Sequence, residues 1–195
     1  MSHHIHHTEG FVLSSTGVGE ANKYITIFTR ELGVIGAVAQ GIRKIDSKLR
    51  YALQDYSYVR VDVIRGKHSW RITSAQAQSA FDELKSDAAK FSLFAKLLTI
   101  VRRLCSGEDP NESLYEHMYD SFIFLSRENL SSEEREGFEL VFLIRMLHNL
   151  GHMQPFPLLS QYLDSTLDAA VCLEAFGQKS VLVREINTAL KESQL

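Results

Sequence analysis

Residues 56–64 read Tyr-Ser-Tyr-Val-Arg-Val-Asp-Val-Ile, and this run is the clearest β-strand signal in the chain. Its three valines fall on one face, while Tyr56, Tyr58 and Arg60 fall on the other, because successive side chains of a strand point in opposite directions. The valine face predicts a buried core. The opposite face is expected to form a surface on which the two tyrosine rings lie beside the cation of Arg60.

The same period of two extends outward over residues 22–73, which are rich in Val, Ile, Tyr and Thr and are punctuated by glycines. It predicts five short strands, at residues 7–15, 23–30, 34–41, 53–64 and 69–74. Five short strands in about seventy residues are typical of a small antiparallel barrel of the OB or SH3-like kind. Trp70 and Ile72 are two positions apart and therefore point to the same face of their strand, so Trp70 is expected in the barrel core.

From about residue 80 onward the apolar period becomes helical. Helices are predicted over residues 88–105, 136–150 and 181–191, and the second is apolar almost all round, which predicts a buried helix. Helix starts are expected at Asp109 and Ser180 as N-caps and at Ser131 as the first residue of a capping box. Gly151 is expected to end the middle helix in a left-handed conformation.

The fold class that follows is α+β, with an N-terminal five-stranded OB-like β-barrel followed by an all-α helical domain. The 195 residues are accordingly divided into a barrel domain at residues 1–78, which is the candidate DNA-binding domain, and a helical domain at residues 79–195. No run of apolar residues is long enough to span a bilayer, and no secretory signal is readable, so the expected location is the cytoplasm, without membrane contact.

Charge is divided unevenly between these two parts. The whole chain has a net charge of −3, but residues 1–78 hold ten basic and six acidic side chains, and residues 79–195 hold eleven and eighteen. Between Arg43 and Arg71 there are eight basic residues and only three acidic ones. Such a division indicates that the barrel contacts nucleic acid, although a solvated basic face would give the same count.

The aromatic rings of the fourth strand suggest how single-stranded nucleic acid would bind, since bases stack on rings and phosphates pair with cations. Tyr56 and Tyr58 are the candidate stacking residues. The alternative is that both rings cover the barrel or pack on the second domain with their hydroxyl groups hydrogen-bonded. Arg50, Arg60 and Arg71 are added as cations that would contact phosphates.

Residues that carry enzyme chemistry are not recognisable. There is no Walker loop, GxGxxG, GxSxG, HExxH or kinase motif, so no enzymatic activity and no cofactor are expected. Cys105 and Cys172 are 67 positions apart and are expected to be buried thiols. Two histidine groups could in principle hold a metal, at residues 3–7 and at His148 with His152. The first lies at a terminus and the second spans Gly151, so no metal site is predicted.

Several stretches together resemble the RecO family of bacterial recombination mediators. Residues 9–13, 24–33 and 41–48 are similar to the family's N-terminal OB domain, and residues 107–111 and 138–151 are similar to its helical domain. The resemblance covers about residues 8–155, in the family's order and spacing. Many members carry a four-cysteine zinc site in the helical part, whereas residues 153–172 hold one cysteine here, so a member without zinc is predicted.

The resemblance implies a non-enzymatic protein that binds single- and double-stranded DNA and anneals complementary strands. With RecR it would help to load RecA onto DNA coated by the single-strand-binding protein. The basic run that matches the family is Arg43, Lys44 and Lys48. The helical domain would receive the acidic tail of the single-strand-binding protein, with Arg102, Arg103 and Arg145 as candidate rim residues. The alternatives are a protein-interaction adaptor with little DNA affinity and a metal-dependent enzyme built on the histidines.

Overall fold

Five strands in the N-terminal part of the chain close into a barrel. The computed structural model describes residues 4–67, 69–154 and 157–192. The strands are β1 (Ile5–Val18), β2 (Asn22–Thr29), β3 (Gly33–Ala39), β4 (Tyr58–Arg65) and β5 (Trp70–Ala77). They follow the order β1-β2-β3-β5-β4 around the barrel, and every neighbouring pair is antiparallel except β3 and β5. A short helix, α1 (Leu49–Ala52), lies between β3 and β4. The predicted OB-like barrel is therefore confirmed.

Alternate residues of the strands fill the barrel interior, as the period of two predicts. Ile25 and Ile27 of β2 are fully buried there together with the three valines of β4. Trp70 is 4% exposed and belongs to the same core, so the prediction made from its parity with Ile72 is confirmed. The interior is packed with side chains and leaves only the outer wall and the ends of the barrel for binding.

The fourth strand begins later than predicted. Its first residue is Tyr58 rather than residue 53, because the preceding segment forms a turn. The Ser57 hydroxyl donates to the carbonyl oxygens of Ala52 and Gln54, at 2.8 and 2.7 Å. Tyr56 has a φ of +64°, outside the strand region. These side-chain to backbone hydrogen bonds stabilise the turn. The segment still bonds to β1, since the Tyr56 N–H donates to the Val12 carbonyl and the Val12 N–H donates to the Ser57 carbonyl, both at 2.9 Å.

A 3₁₀ segment (Ser79–Ser86) and α2 (Ala88–Leu104) cover one side of the barrel's outer wall. Phe81 packs against Phe11 and Tyr58, with ring centroids 5.5 and 5.2 Å apart, and Phe94 packs against Phe11 at 6.3 Å. The chain divides by its contacts into Met1–Glu112 and Ser113–Leu195. The strands do end close to the predicted boundary at residue 78, but α2 belongs to the unit that contains the barrel.

The start of α2 gives a stability prediction for this first unit. The Asp87 carboxylate accepts hydrogen bonds from the backbone N–H groups of Ala89 and Lys90, at 2.9 and 3.0 Å. Removing this N-cap with Asp87→Ala should lower the free energy of unfolding by about 1 kcal/mol, because the N–H groups lose their acceptor. Urea unfolding measures the change. The exposed Glu83, replaced by Ala, is the control, and equal losses in both variants would contradict the capping role.

The second unit consists of helices. They are α3 (Glu112–Arg127), α4 (Ser132–Asn149), α5 (Pro157–Asp164), α6 (Ala169–Gly177) and α7 (Lys179–Glu192). Helix α4 is buried on nearly every side, as its composition predicts. The capping box is confirmed, since Ser131 Oγ accepts from the Glu134 N–H and the Glu134 carboxylate accepts from the Ser131 N–H. Gly151 has a φ of +76° just after the end of α4, also as predicted.

Two predicted helix starts are wrong. Helix α3 begins at Glu112, because residues 107–109 run along the turn between β2 and β3, where the Val34 N–H donates to the Gly107 carbonyl at 2.9 Å. Asp109 therefore lies outside the helix and is not its N-cap. Helix α7 begins at Lys179, with Gln178 alone between it and the end of α6, and the Gln178 carbonyl accepts from the N–H groups of Val181 and Leu182. Ser180 lies inside the helix.

Candidate nucleic-acid interface

Residues 41–54, between β3 and β4, carry the most concentrated positive charge of the barrel; they are called the basic segment below. Arg43, Lys44, Lys48 and Arg50 are all exposed in it. Among the residues that the structure describes, no carboxylate forms an ion pair with any of these four side chains. Cations that are exposed and unpaired can exchange their counterions for phosphates.

The basic segment is tied to the rest of the barrel by backbone hydrogen bonds. Gly41 has a φ of +66°, which favours glycine, and its N–H donates to Asn22 Oδ1 at 2.9 Å. The Arg43 N–H donates to the Ala21 carbonyl at 3.0 Å, and its guanidinium donates to the Gly19 carbonyl at 3.1 Å. Arg43 is thus held near the turn that joins β1 to β2.

A cavity of about 310 Å³ lies between the basic segment and β2. It is lined by Lys23, Ile42, Arg43, Arg50, Leu53 and Gln54, and no carboxylate is among these residues. Lys23 is oriented by a hydrogen bond from Nζ to Ser15 Oγ, at 3.1 Å. Three cations around one cavity form an electropositive site that fits a phosphate group. This set of residues is called the basic cavity below.

Two large apolar side chains in the basic segment were not anticipated as site residues. Ile45 is 89% exposed and Tyr51 is 77% exposed, the two highest values among the large hydrophobic residues that the structure describes. Ile45 lies between Lys44 and Lys48 in the sequence, and Tyr51 directly follows Arg50, so both are exposed next to cations, where they can contact unpaired bases. Periodicity did not point to them, since they lie in a loop and in a helix of four residues.

The outer wall of the barrel is open on the side of β2, β3 and β5. Tyr24 of β2 is paired with Val38 of β3, and Val38 is paired with Arg71 of β5. Residues paired in register point to the same face of a sheet, so these three side chains form a row across the outer wall. Arg71 is exposed, Tyr24 is 40% exposed, and Val38 between them is half-buried. This row is called the open face below.

Arg60 is also exposed, but it lies elsewhere on the wall. It is paired with Glu9 of β1 and with Gln76 of β5. The residue of β4 that is paired with Arg71 is Ile64, four positions from Arg60. At about 3.3 Å per residue, Arg60 is about 13 Å from that position along the strand. The predicted cations therefore form one group in the basic segment, with Arg71 and Arg60 on separate parts of the wall.

The predicted stacking residues lie on the covered side. Tyr58 is 5% exposed beneath Phe81 and Phe11, so the prediction that it stacks on a base is wrong. Tyr56 is half-buried, with its hydroxyl 3.3 Å from Thr99 Oγ1 and its ring edge-on to Phe91 of α2. Both tyrosines point away from the barrel core, as alternation predicts. The 3₁₀ segment and α2 occupy the space in which bases would have to bind.

The three arginines predicted to rim a partner site do not belong to one unit. Arg102 and Arg103 are exposed on α2, in the first unit, whereas Arg145 is on α4, in the second. The Arg145 guanidinium donates from Nε to the Tyr162 carbonyl and from Nη2 to the Ser165 carbonyl, both at 2.6 Å. Its first role is therefore to hold the backbone at the end of α5.

Arg145 also lines a cavity of about 600 Å³ within the second unit. The lining is of mixed charge, since Asp120, Asp164, His117 and His148 face the same space. Burial lowers the pKa of His117 to about 4, and the nearby Arg145 adds to the effect, so this imidazole is neutral at pH 7. An acidic peptide would meet two carboxylates here as well as the guanidinium.

The cysteine and histidine side chains that could support redox or metal chemistry have structural roles instead. Burial raises the pKa of Cys105 to about 11 and that of Cys172 to about 12, so both thiols stay protonated and unreactive at neutral pH. Across the described residues, no three His, Cys, Asp or Glu side chains come together as metal ligands; His3 lies outside them. His148 Nδ1 is 3.1 Å from the Met153 carbonyl.

In the portions of the chain with described structure, none of the helices combines the length and the apolar character that crossing a bilayer requires.

Comparison with known proteins identifies relatives of this barrel. Residues 1–81 match the family model described as Recombination protein O N terminal. The chain is 32% identical over 108 residues to the DNA repair protein RecO of Heliobacterium modesticaldum, covering 54% of this chain and 40% of the relative. It is 28% identical over 145 residues to the protein of the same name from Acetivibrio thermocellus, covering 74% and 57%.

A third relative, the DNA repair protein RecO of Alkaliphilus metalliredigens, is 28% identical over 126 residues, which cover 65% of this chain and 51% of the relative. The matched part thus spans about half the length of the curated relatives. The family resemblance predicted from the residues is confirmed by these matches.

Proposed function

We propose, for a chain whose first 81 residues belong to the RecO N-terminal domain family, that the barrel binds DNA through the basic segment and the open face. The observation that carries the proposal is the group of four exposed cations that form no ion pair with any described residue, beside a cavity whose described lining holds three cations and no carboxylate. Phosphate contacts supply most of the sequence-independent affinity of such proteins. The name of the relatives, DNA repair protein RecO, agrees with this function.

The proposal includes the wider role that the resemblance implies. The chain would bind single- and double-stranded DNA, anneal complementary strands and act in DNA repair and recombination without bond chemistry of its own. Its proposed protein partners are RecR, the single-strand-binding protein and, indirectly, RecA, in the bacterial cytoplasm. Arg102 and Arg103 are the proposed contacts for the acidic tail of the single-strand-binding protein. Both are exposed, and neither forms an ion pair within the described part of the chain.

Replacing Lys44 and Lys48 by alanine tests the proposal. Each phosphate contact contributes about 0.7 to the salt slope of single-strand binding, so losing two at about 0.1 M salt should weaken binding about 25-fold. The loss should be the same for different base sequences, since phosphates carry no sequence information. Fluorescence anisotropy with labelled oligonucleotides of two compositions measures both effects.

The control removes the same charge from the second unit, with Arg184 and Lys191 replaced by alanine. Both residues are exposed on α7. Similar losses of DNA affinity in the two variants would mean that binding depends on the net charge of the chain and not on the basic segment. If the unmodified chain binds neither single strands nor duplexes at low salt, the proposal fails and the adaptor function is favoured. Annealing of complementary strands coated with the single-strand-binding protein, with and without its tail, tests the wider role.

A further inference from the structure

The tyrosine of the open face lies over a glycine of the neighbouring strand. On β2, Tyr24 is two positions from Thr26, and Thr26 is paired with Gly36 of β3. A Cβ atom added at Gly36 would overlap the Tyr24 hydroxyl and the ring carbon that bears it. The phenol end therefore crosses diagonally from β2 to β3 and lies above the glycine backbone. Such a diagonal is within reach of an aromatic side chain.

This arrangement makes the ring a fixed and open surface. Its neighbours Ile25 and Ile27 have their side chains buried in the barrel, whereas Tyr24 is 40% exposed on the outer wall. The 3₁₀ segment and α2 cover Phe11 and Tyr58 instead. Tyr24 thus has the exposure that the predicted stacking residues lack.

One cation shares the open face with this ring, and a second lies next to it in sequence on the opposite face of β2. Lys23, the preceding residue, points to the face opposite Tyr24, because successive side chains of a strand alternate, and it lines the basic cavity there. Arg71 lies two strands away in the same row, which at about 4.8 Å per strand is about 10 Å. An exposed aromatic ring with a cation on the same face is an arrangement that a single strand can use, since bases and phosphates alternate along it.

We infer that Tyr24, positioned by the absence of a side chain at Gly36, is the base-stacking residue of the open face. Arg71, in the same row, would hold a neighbouring phosphate. The inference rests on the proposed DNA-binding function and adds a selectivity to it: the ring can stack only on an unpaired base. It would therefore favour single strands over duplexes at this surface.

A purely structural role for Tyr24 has to be separated from stacking, because an aromatic ring over a sheet glycine also stabilises strand pairing. Tyr24→Leu keeps an apolar side chain over Gly36 and removes the ring. Stacking predicts a loss of about five- to hundredfold in affinity for single strands and less than a twofold change for duplexes. Tyr24→Phe, which keeps the ring, should bind single strands as the unmodified chain does.

The experiment measures anisotropy titrations of a single strand and of the matching duplex, with thermal unfolding of each variant. Ultraviolet crosslinking of a single strand that contains 5-iodouracil adds an independent readout, and mass spectrometry should locate the crosslink at Tyr24. Equal losses for single strands and duplexes, or full single-strand affinity in Tyr24→Leu, would overturn the inference while the proposed function stands. If the unmodified chain binds no DNA, the proposed function itself has failed.

Discussion

Replacing Arg43, Lys44, Lys48 and Arg50 together by alanine should weaken single-strand binding about 600-fold at about 0.1 M salt. All four side chains are exposed on the basic segment, and two of them line the basic cavity. At a salt concentration tenfold below 1 M, the loss of one phosphate contact lowers the logarithm of affinity by about 0.7, because fewer counterions are released on binding. Four contacts then amount to nearly three log units.

A control variant of equal charge makes this result specific to the basic segment. Arg127, Lys179, Arg184 and Lys191 are exposed in the second unit, and their replacement by alanine changes the net charge by the same amount. We expect this control to bind within a few-fold of the unmodified chain. A comparable loss in the control would show that the basic segment has no special role. Circular dichroism of both variants checks that the barrel is folded.

The second large effect concerns Gly137 in the helical unit. Gly137 lies in α4, and a Cβ atom there would overlap the carbonyl oxygen of Cys172 in α6. The obstruction is backbone, so a side chain cannot be accommodated by a change of rotamer. Gly137→Ala should lower the free energy of unfolding by about 3 kcal/mol, near the upper end of overpacking costs and well above the gain in helix propensity of about 1 kcal/mol.

Thermal unfolding followed at 222 nm measures this loss, which corresponds to a fall in melting temperature of more than about 10 °C for a unit of this size. Gly177→Ala is the matched control, because no described atom beyond its chain neighbours and its own helix lies within 4 Å of the position that its Cβ would take. We expect the control to be neutral or slightly stabilised. If Gly137→Ala were as stable as Gly177→Ala, α4 and α6 could not approach as closely as described.

Local patterns in the sequence predicted the barrel well. The three valines of residues 59–63 identify the inner face of the barrel, and Trp70 was assigned to that face because it lies two residues from Ile72. Both predictions succeed because the alternation of a strand depends only on neighbouring residues. The capping box at Ser131 was also predictable, since both of its hydrogen bonds lie within four residues. The cluster of cations in the basic segment was visible for the same reason, as its members are close in sequence.

Features that depend on distant parts of the chain were missed. Alternation places Tyr58 on the outer wall correctly, but only packing by Phe81 and Phe94 determines that this side of the wall is covered. The Asp109 cap failed because a turn far away in sequence, at Gly33 and Val34, binds the preceding residues. The relation of Tyr24 to Gly36 requires the register of β2 with β3, which the sequence does not specify.

The most direct test of the central claim is the salt dependence of single-strand binding by the barrel. We predict that the logarithm of affinity falls linearly with the logarithm of salt concentration for the unmodified chain. The slope should decrease in magnitude by about 2.8 in the variant that lacks Arg43, Lys44, Lys48 and Arg50. An unchanged slope in that variant would contradict the claim that the basic segment contacts DNA phosphates.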